Sequence, residues 1–187
     1  MTDSDDLLER IRRRVVRPAT VRELEQTLRL PREQRRSFER RLKKLVASGT
    51  LVRIRGKRYG LPEKMNLIVG RVHINPRGFG FLTPESKSDF DQDIYIAGTN
   101  LHQAMHGDRV VARIERRVQH ERIEGRIVRI LDRRTTTLVA RYDSDESGLS
   151  FVVPFDRRII MDVHIPSTDR GGAKPGEIVV VELTRWP

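Results

Sequence analysis

At 187 residues, 37% hydrophobic and 34% charged, the chain carries enough apolar material for one large or two to three small packed units, which excludes wholesale disorder. Its formal net charge of +11 favours a polyanionic partner, and the absence of cysteine excludes disulfides and thiolate metal sites. No run is long and apolar enough for a transmembrane helix, and the N-terminal acidic-then-basic segment has no apolar signal core; the expectation is a cytoplasmic monomer with no membrane partner.

The charge is unevenly spread. Residues 1–62 hold 18 Lys and Arg against 8 Asp and Glu, residues 63–123 hold 9 against 8, and residues 124–187 hold 10 of each. One strongly electrostatic unit is therefore followed by two whose binding must rest on something besides net charge.

In the first unit Leu7, Leu8, Ile11 and Val15 recur at helical spacing and predict a helix over 4–16, stopped by Pro18. Thr20 and Glu23 have the spacing of a capping box, opening a short second helix through Val21, Leu24 and Leu28. Pro31 suits the first turn of a third helix, which buries Phe38, Leu42, Leu45 and Val46 and ends at Gly49. Two strand-like runs then flank Gly56. Three helices and a hairpin predict a winged helix-turn-helix over 1–62, a fold whose third helix and wing face nucleic acid. Arg36, Arg40 and Lys44 on the helix and Arg55, Lys57 and Arg58 on the wing are the candidate contacts. The competing reading is a solvated charged helix that binds nothing.

Residues 63–66 read as a linker. An alternating run through Arg71 then leads to Arg77-Gly78-Phe79-Gly80-Phe81-Leu82. Period-two alternation places Arg77, Phe79 and Phe81 on one strand face and Gly78, Gly80 and Leu82 on the other. Tyr95, in the strand-like run 93–96, can join the same surface. Exposed rings beside cations stack unpaired bases, so Arg71, Arg77, Phe79, Phe81 and Tyr95 are candidate RNA contacts; the alternative is that the phenylalanines are core. A short helix at 100–105 and strands at 109–114 and 124–131 complete the unit.

The last third repeats the middle. Val69-Gly70-Arg71-Val72 corresponds to Val139-Ala140-Arg141-Tyr142 at an offset of 70, and Gly107-Asp108-Arg109-Val110 to Gly176-Glu177-Ile178-Val179 at 69. In the second copy Arg77, Phe79 and Tyr95 become Ser147, Leu149 and His164, and only Phe151 keeps its ring. The strand at 124–131 has no counterpart. The fold class expected is α+β, multidomain: the winged helix, a barrel over 67–132, and a second over 133–187 that lacks its last strand.

The glycine-aromatic run and the strand at 93–96 resemble the two nucleic-acid motifs of the cold-shock domain, a five-stranded OB-type barrel. A winged helix, two such barrels, the His106-Gly107-Asp108 turn and the tail Thr184-Arg185-Trp186-Pro187 together resemble the N-terminal region of the ribonuclease R group of the ribonuclease II family. The resemblance implies a part of a processive 3′-to-5′ exoribonuclease that binds single-stranded or structured RNA and guides it to a catalytic domain. It also implies that magnesium or manganese belongs to that domain, with no cofactor here.

No catalytic constellation stands out in the chain itself. Asp89, Asp91 and Asp93 fail the calcium-loop pattern, because Ile94 follows where glycine is needed and Asn100 stands at the twelfth position. The five histidines show no metal-ligand spacing, and His102 and His106, four residues apart with no acidic base between them, read as surface or turn residues. Two function classes follow: an RNA-binding part of an exoribonuclease, or a freestanding winged-helix regulator that binds duplex DNA.

Overall fold

The structure, a computed structural model, describes residues 3–86, 92–118 and 122–186. The first helix, α1 (Asp3–Arg14), turns Leu7 and Ile11 inward, and Val15 follows on the same side. A two-residue strand β1 (Ala19–Thr20) runs into α2 (Val21–Thr27). The capping box forms: the Glu23 N–H donates to Thr20 Oγ1 at 3.3 Å, and the Thr20 N–H donates to Glu23 Oε2 at 2.7 Å. Two orphan amides are thereby satisfied by one pair of side chains. Pro31 is extended and precedes a single 3-10 turn (Arg32–Gln34), so α3 (Arg35–Ala47) starts later than its proline suggests. Phe38, Leu42, Leu45 and Val46 close a core with Leu24, Leu28, Leu51 and Leu61. Strands β2 (Val52–Ile54) and β3 (Arg58–Gly60) form the hairpin, and β1 adds to it in the order β1-β3-β2.

The expected linker is not free chain. Pro62–Met65 is a 3-10 helix with Pro62 buried, and Lys64 Nζ donates to the carbonyls of Arg12 and Val15 at 3.1 and 2.9 Å. Apolar Leu61 and Pro62 keep the segment on the protein, and the lysine satisfies carbonyls at the end of α1.

Strands β4 (Leu67–Ile74), β5 (Gly80–Pro84), β6 (Ile94–Ile96), β7 (Arg109–Val118) and β8 (Arg122–Asp132) close into a barrel of order β4-β5-β6-β8-β7. Ile68, Val72, Ile74, Leu82, Ile94, Ile96, Val110, Ala112 and Ile127 fill it. Gly70 points inward where a Cβ would lie 2.3 Å from the Thr83 carbonyl oxygen, so only glycine fits that strand crossing. The helix expected at 100–105 is instead a 3-10 turn at Gly98–Asn100; His102 at φ +50° breaks any helical continuation.

The remaining strands, β9 (Thr137–Ser144), β10 (Ser150–Pro154), β11 (Val163–Ile165) and β12 (Ile178–Glu182), form a four-stranded sheet of order β11-β10-β9-β12. It duplicates the barrel in register. Gly70 opposes Pro84 as Ala140 opposes Pro154, and Leu82 opposes Ile94 as Val152 opposes Val163. The Asp108 carboxylate accepts from the Met105 N–H at 2.8 Å, and Glu177 accepts from the Lys174 N–H at 2.9 Å. Where β8 lies between β6 and β7, the second unit has a groove of about 760 Å³ between β11 and β12, floored in part by Met105, Leu183 and Trp186.

The outer face of the barrel also differs from that of its copy. Leu67, Val69, Val111 and Leu131 pack against Val52 and Ile54 of the hairpin, and Arg109 Nη2 donates to the Ser48 carbonyl at 2.6 Å beside the end of α3. Val139 and Val180, the counterparts of Val69 and Val111, stand 51% and 72% exposed.

Candidate nucleic-acid interface

Three rings converge on the outside of the barrel. Phe81 opposes Tyr95 across β5 and β6, and Phe79 enters from the turn before β5. Ring centroids lie 5.6 Å apart for Phe79–Phe81, 5.7 Å for Phe79–Tyr95 and 5.8 Å for Phe81–Tyr95. Phe81 is 37% exposed and its two neighbours are half-buried. The core reading of these rings therefore fails: the inward positions of β5 belong to Gly80 and Leu82. The guanidinium of Arg122 sits 4.0 Å above the Tyr95 ring and pairs with Glu124 at 2.6 Å. That arrangement is an apolar, cation-flanked platform of the kind on which bases stack.

Arg77 is not part of the strand. Residues 75–79 form a turn closed by the Asn75 N–H to the Phe79 carbonyl at 2.7 Å, and Gly78 takes φ +87°. Alternation from β5 therefore stops at Phe79, and exposed Arg77 is placed by the turn; its N–H donates to Asn75 Oδ1 at 3.0 Å. Arg71 lies outward on β4 and donates to the Gly107 carbonyl at 3.2 Å.

The outer row continues beyond the residues chosen from sequence. His73 on β4 opposes Phe81, and the His106 ring meets His73 edge-on at 5.5 Å. His106 in turn lies 3.0 Å from Arg158 Nη1, which comes from the second unit. Burial first, then Arg158 and His73, lowers the His106 pKa from the ordinary imidazole value. Asp156 holds Arg158 through two bonds of 2.8 and 2.7 Å, and its own carboxyl is pulled down to about 2. His73 is legible as an outward alternate of β4; Arg158 is not, because it reaches the row only through tertiary packing.

The basic residues of the first unit occupy other elements. Arg36, Arg40 and Lys44 form an exposed stripe at one-turn intervals on α3, and Arg55 and Lys57 flank Gly56 at the exposed hairpin tip. Arg58 is already engaged by the Pro18 carbonyl at 3.0 Å and by Glu23 at 3.3 Å. Among the described residues no group of three or more His, Asp or Glu is placed to hold a metal. Asp89 and Asp91 lie outside the described residues.

Residues 70–130 match the family model of the ribonuclease B OB domain, and residues 151–187 match a cold shock domain. Ribonuclease R of Acidithiobacillus ferrooxidans is 35% identical over 173 residues, which are 91% of this chain and 38% of that protein. Ribonuclease R of Escherichia coli K12 is 38% identical over 182 residues, 97% of this chain and 22% of that protein. The chain belongs to the ribonuclease R family. It spans 22–38% of the length of these ribonuclease R relatives and corresponds to their N-terminal region. Yeast Ssd1, described as a pseudonuclease, shares the fold at a TM-score of 0.53 and 18% identity, over 67% of this chain and 22% of that one. The ring platform falls inside the segment matched as the ribonuclease OB domain, and Phe151 and His164 fall inside the cold shock match. In that second copy Leu149 is 49% exposed, His164 is exposed and Phe151 is half-buried.

Proposed function

We propose that this chain is the RNA-binding region of a ribonuclease R-type 3′-to-5′ exoribonuclease, and that it delivers single-stranded RNA to a catalytic domain. The observation that carries the reading is the mutual 5.6–5.8 Å packing of Phe79, Phe81 and Tyr95 on the outside of a cold-shock-type barrel. Rings held this way accept bases of any identity, as a processive nuclease requires, because every base offers a π-face. Arg71, Arg77 and Arg122 border the platform and hold the strand through its phosphates.

In this reading residues 1–62 act as a winged helix. Arg36, Arg40 and Lys44 on α3, with Arg55 and Lys57 at the hairpin tip, provide sequence-independent attraction for the backbone of structured substrates. Arg58 contributes to the fold more than to the ligand, since Glu23 and Pro18 already hold it. Hydrolysis, with its magnesium or manganese, is left to the catalytic domain.

The test is titration of the full chain with a short single-stranded RNA and with duplex DNA of equal length at fixed salt. Tighter binding of the single-stranded RNA, abolished in Phe79→Ala/Tyr95→Ala, supports the reading. Tighter binding of duplex DNA, unaffected by the ring substitutions, overturns it in favour of a winged-helix regulator.

A further inference from the structure

The meeting of His106 and Arg158 has a mismatch in its hydrogens. The Ile74 N–H donates to His106 Nδ1 at 3.2 Å, so Nδ1 is the acceptor of the ring. A neutral imidazole has one acceptor and one N–H, which places the hydrogen on Nε2. Arg158 Nη1, 3.0 Å from Nε2, has only hydrogens to offer. Two donors therefore face each other. Protonating the ring does not resolve this, because Nδ1 would then turn a hydrogen toward the Ile74 N–H. An anionic oxygen bridging the two groups, which must part from their 3.0 Å approach to admit it, accepts from both.

The surroundings favour such an anion. The Asp156 carboxylate takes Arg158 Nε and Nη2, which fixes the guanidinium and leaves Nη1 pointing at His106. Both Asp156 oxygens are committed to Arg158, so the pair is close to neutral and what it leaves open is the Nη1 donor. Arg71 donates to the carbonyl of Gly107, the residue next to His106, and brings a second cation to the same end of the row. His73 links this end to the rings: it opposes Phe81 in register and meets His106 edge-on. Tyr95, Phe81 and His73 lie on three adjacent strands, so the row spans about 10 Å before reaching His106.

We propose that Arg158 and the Nε2–H of His106 form a subsite for one backbone phosphate of an RNA strand whose bases stack on Phe81 and Tyr95. This rests on the RNA-binding reading above and extends it. The second unit contributes to binding here through a cation at the junction, while its own face keeps a single ring. Arg158 binds the strand through a phosphodiester, so it tolerates any base.

The experiment uses the full chain and a short single-stranded RNA carrying one neutral methylphosphonate linkage at each position in turn. In the unsubstituted chain one linkage weakens binding by about threefold, the effect of a partly exposed ionic interaction. In Arg158→Ala that linkage becomes silent, and the log–log salt slope falls by about 0.7. The Arg158 side chain is 45% exposed, so the variant retains the fold, as circular dichroism will verify. An unchanged slope and linkage profile in Arg158→Ala, with binding still weakened in Phe79→Ala/Tyr95→Ala, overturns the subsite and leaves the RNA reading standing. Unchanged binding in both variants overturns the ring platform as the RNA-binding surface and the subsite with it, whereas tighter binding of duplex DNA than of single-stranded RNA overturns the RNA reading itself.

Discussion

Replacing Phe79 and Tyr95 together by alanine removes two of the three rings of the platform and leaves Phe81 without either ring partner. Stacking of one base on one ring contributes about 1–3 kcal/mol. Phe79 and Tyr95 touch, with centroids 5.7 Å apart, so the effects of the two substitutions will not add fully. Even about 1.4 kcal/mol for the pair corresponds to a tenfold weaker Kd, and the expected weakening is tenfold or more. The fold should survive, because neither ring belongs to the buried barrel interior. The ring–ring interactions removed are worth about 0.5–1.5 kcal/mol each. Phe151→Ala in the second unit is the internal comparison. Its neighbours are Leu149 and His164 in place of Phe79 and Tyr95, so it should cost about threefold or less. Fluorescence anisotropy with a short labelled single-stranded RNA at fixed salt measures all three proteins, and circular dichroism checks folding. Equal weakening from the two units would refute the asymmetry, and unchanged binding in the double variant would refute stacking on these rings.

The α3 stripe is tested by Arg36→Ala, Arg40→Ala and Lys44→Ala combined, which should flatten the salt dependence of single-strand binding by roughly 0.7 for each phosphate no longer neutralised; an unchanged slope marks the stripe as solvated charge. Asp108 is fully buried and accepts from the Met105 and Arg134 amides and from Arg133, so Asp108→Ala should lower stability by about 2–3 kcal/mol in urea unfolding, with a change under about 0.5 kcal/mol refuting its role. Thr20→Ala removes the N-cap of α2 and should cost about 1 kcal/mol in the same unfolding assay. The Thr20 amide and hydroxyl, then Arg58, lower the Glu23 pKa below 4.5, so the stabilisation it supplies is present above that pH and lost as pH falls through the depressed value. Glu23→Gln should flatten this part of the acid-unfolding profile. Incubated with labelled single-stranded RNA and magnesium or manganese, the chain should leave the RNA intact; 3′ shortening that copurifies with it would overturn the assignment of hydrolysis to another domain.

Much of this protein is local chemistry, and local chemistry is legible in a sequence. Helical spacing at Leu7, Ile11 and Val15, the Thr20–Glu23 pair and the strand alternation around Gly80 and Leu82 each depend on neighbours within a few residues. The duplication is legible too, because a shared register demands the same small and apolar residues at the same steps: Gly70 and Ala140 stand at equivalent crossings, as do Leu82 and Val152. Arg77 departs from the expected strand face because alternation does not extend through a turn whose geometry depends on the Asn75–Phe79 closure. Residues 62–65 have the composition of a loop, yet Pro62 is buried and Lys64 donates to the carbonyls of Arg12 and Val15 at the end of α1. Only the tertiary structure brings His73, His106 and Arg158 together, from places far apart in the chain. Their alignment depends on how β4, the Gly107 turn and the loop after β10 pack. No periodicity in the chain encodes that distance, since contacts between separate elements are set by the packing of their cores and not by the spacing of the residues that meet.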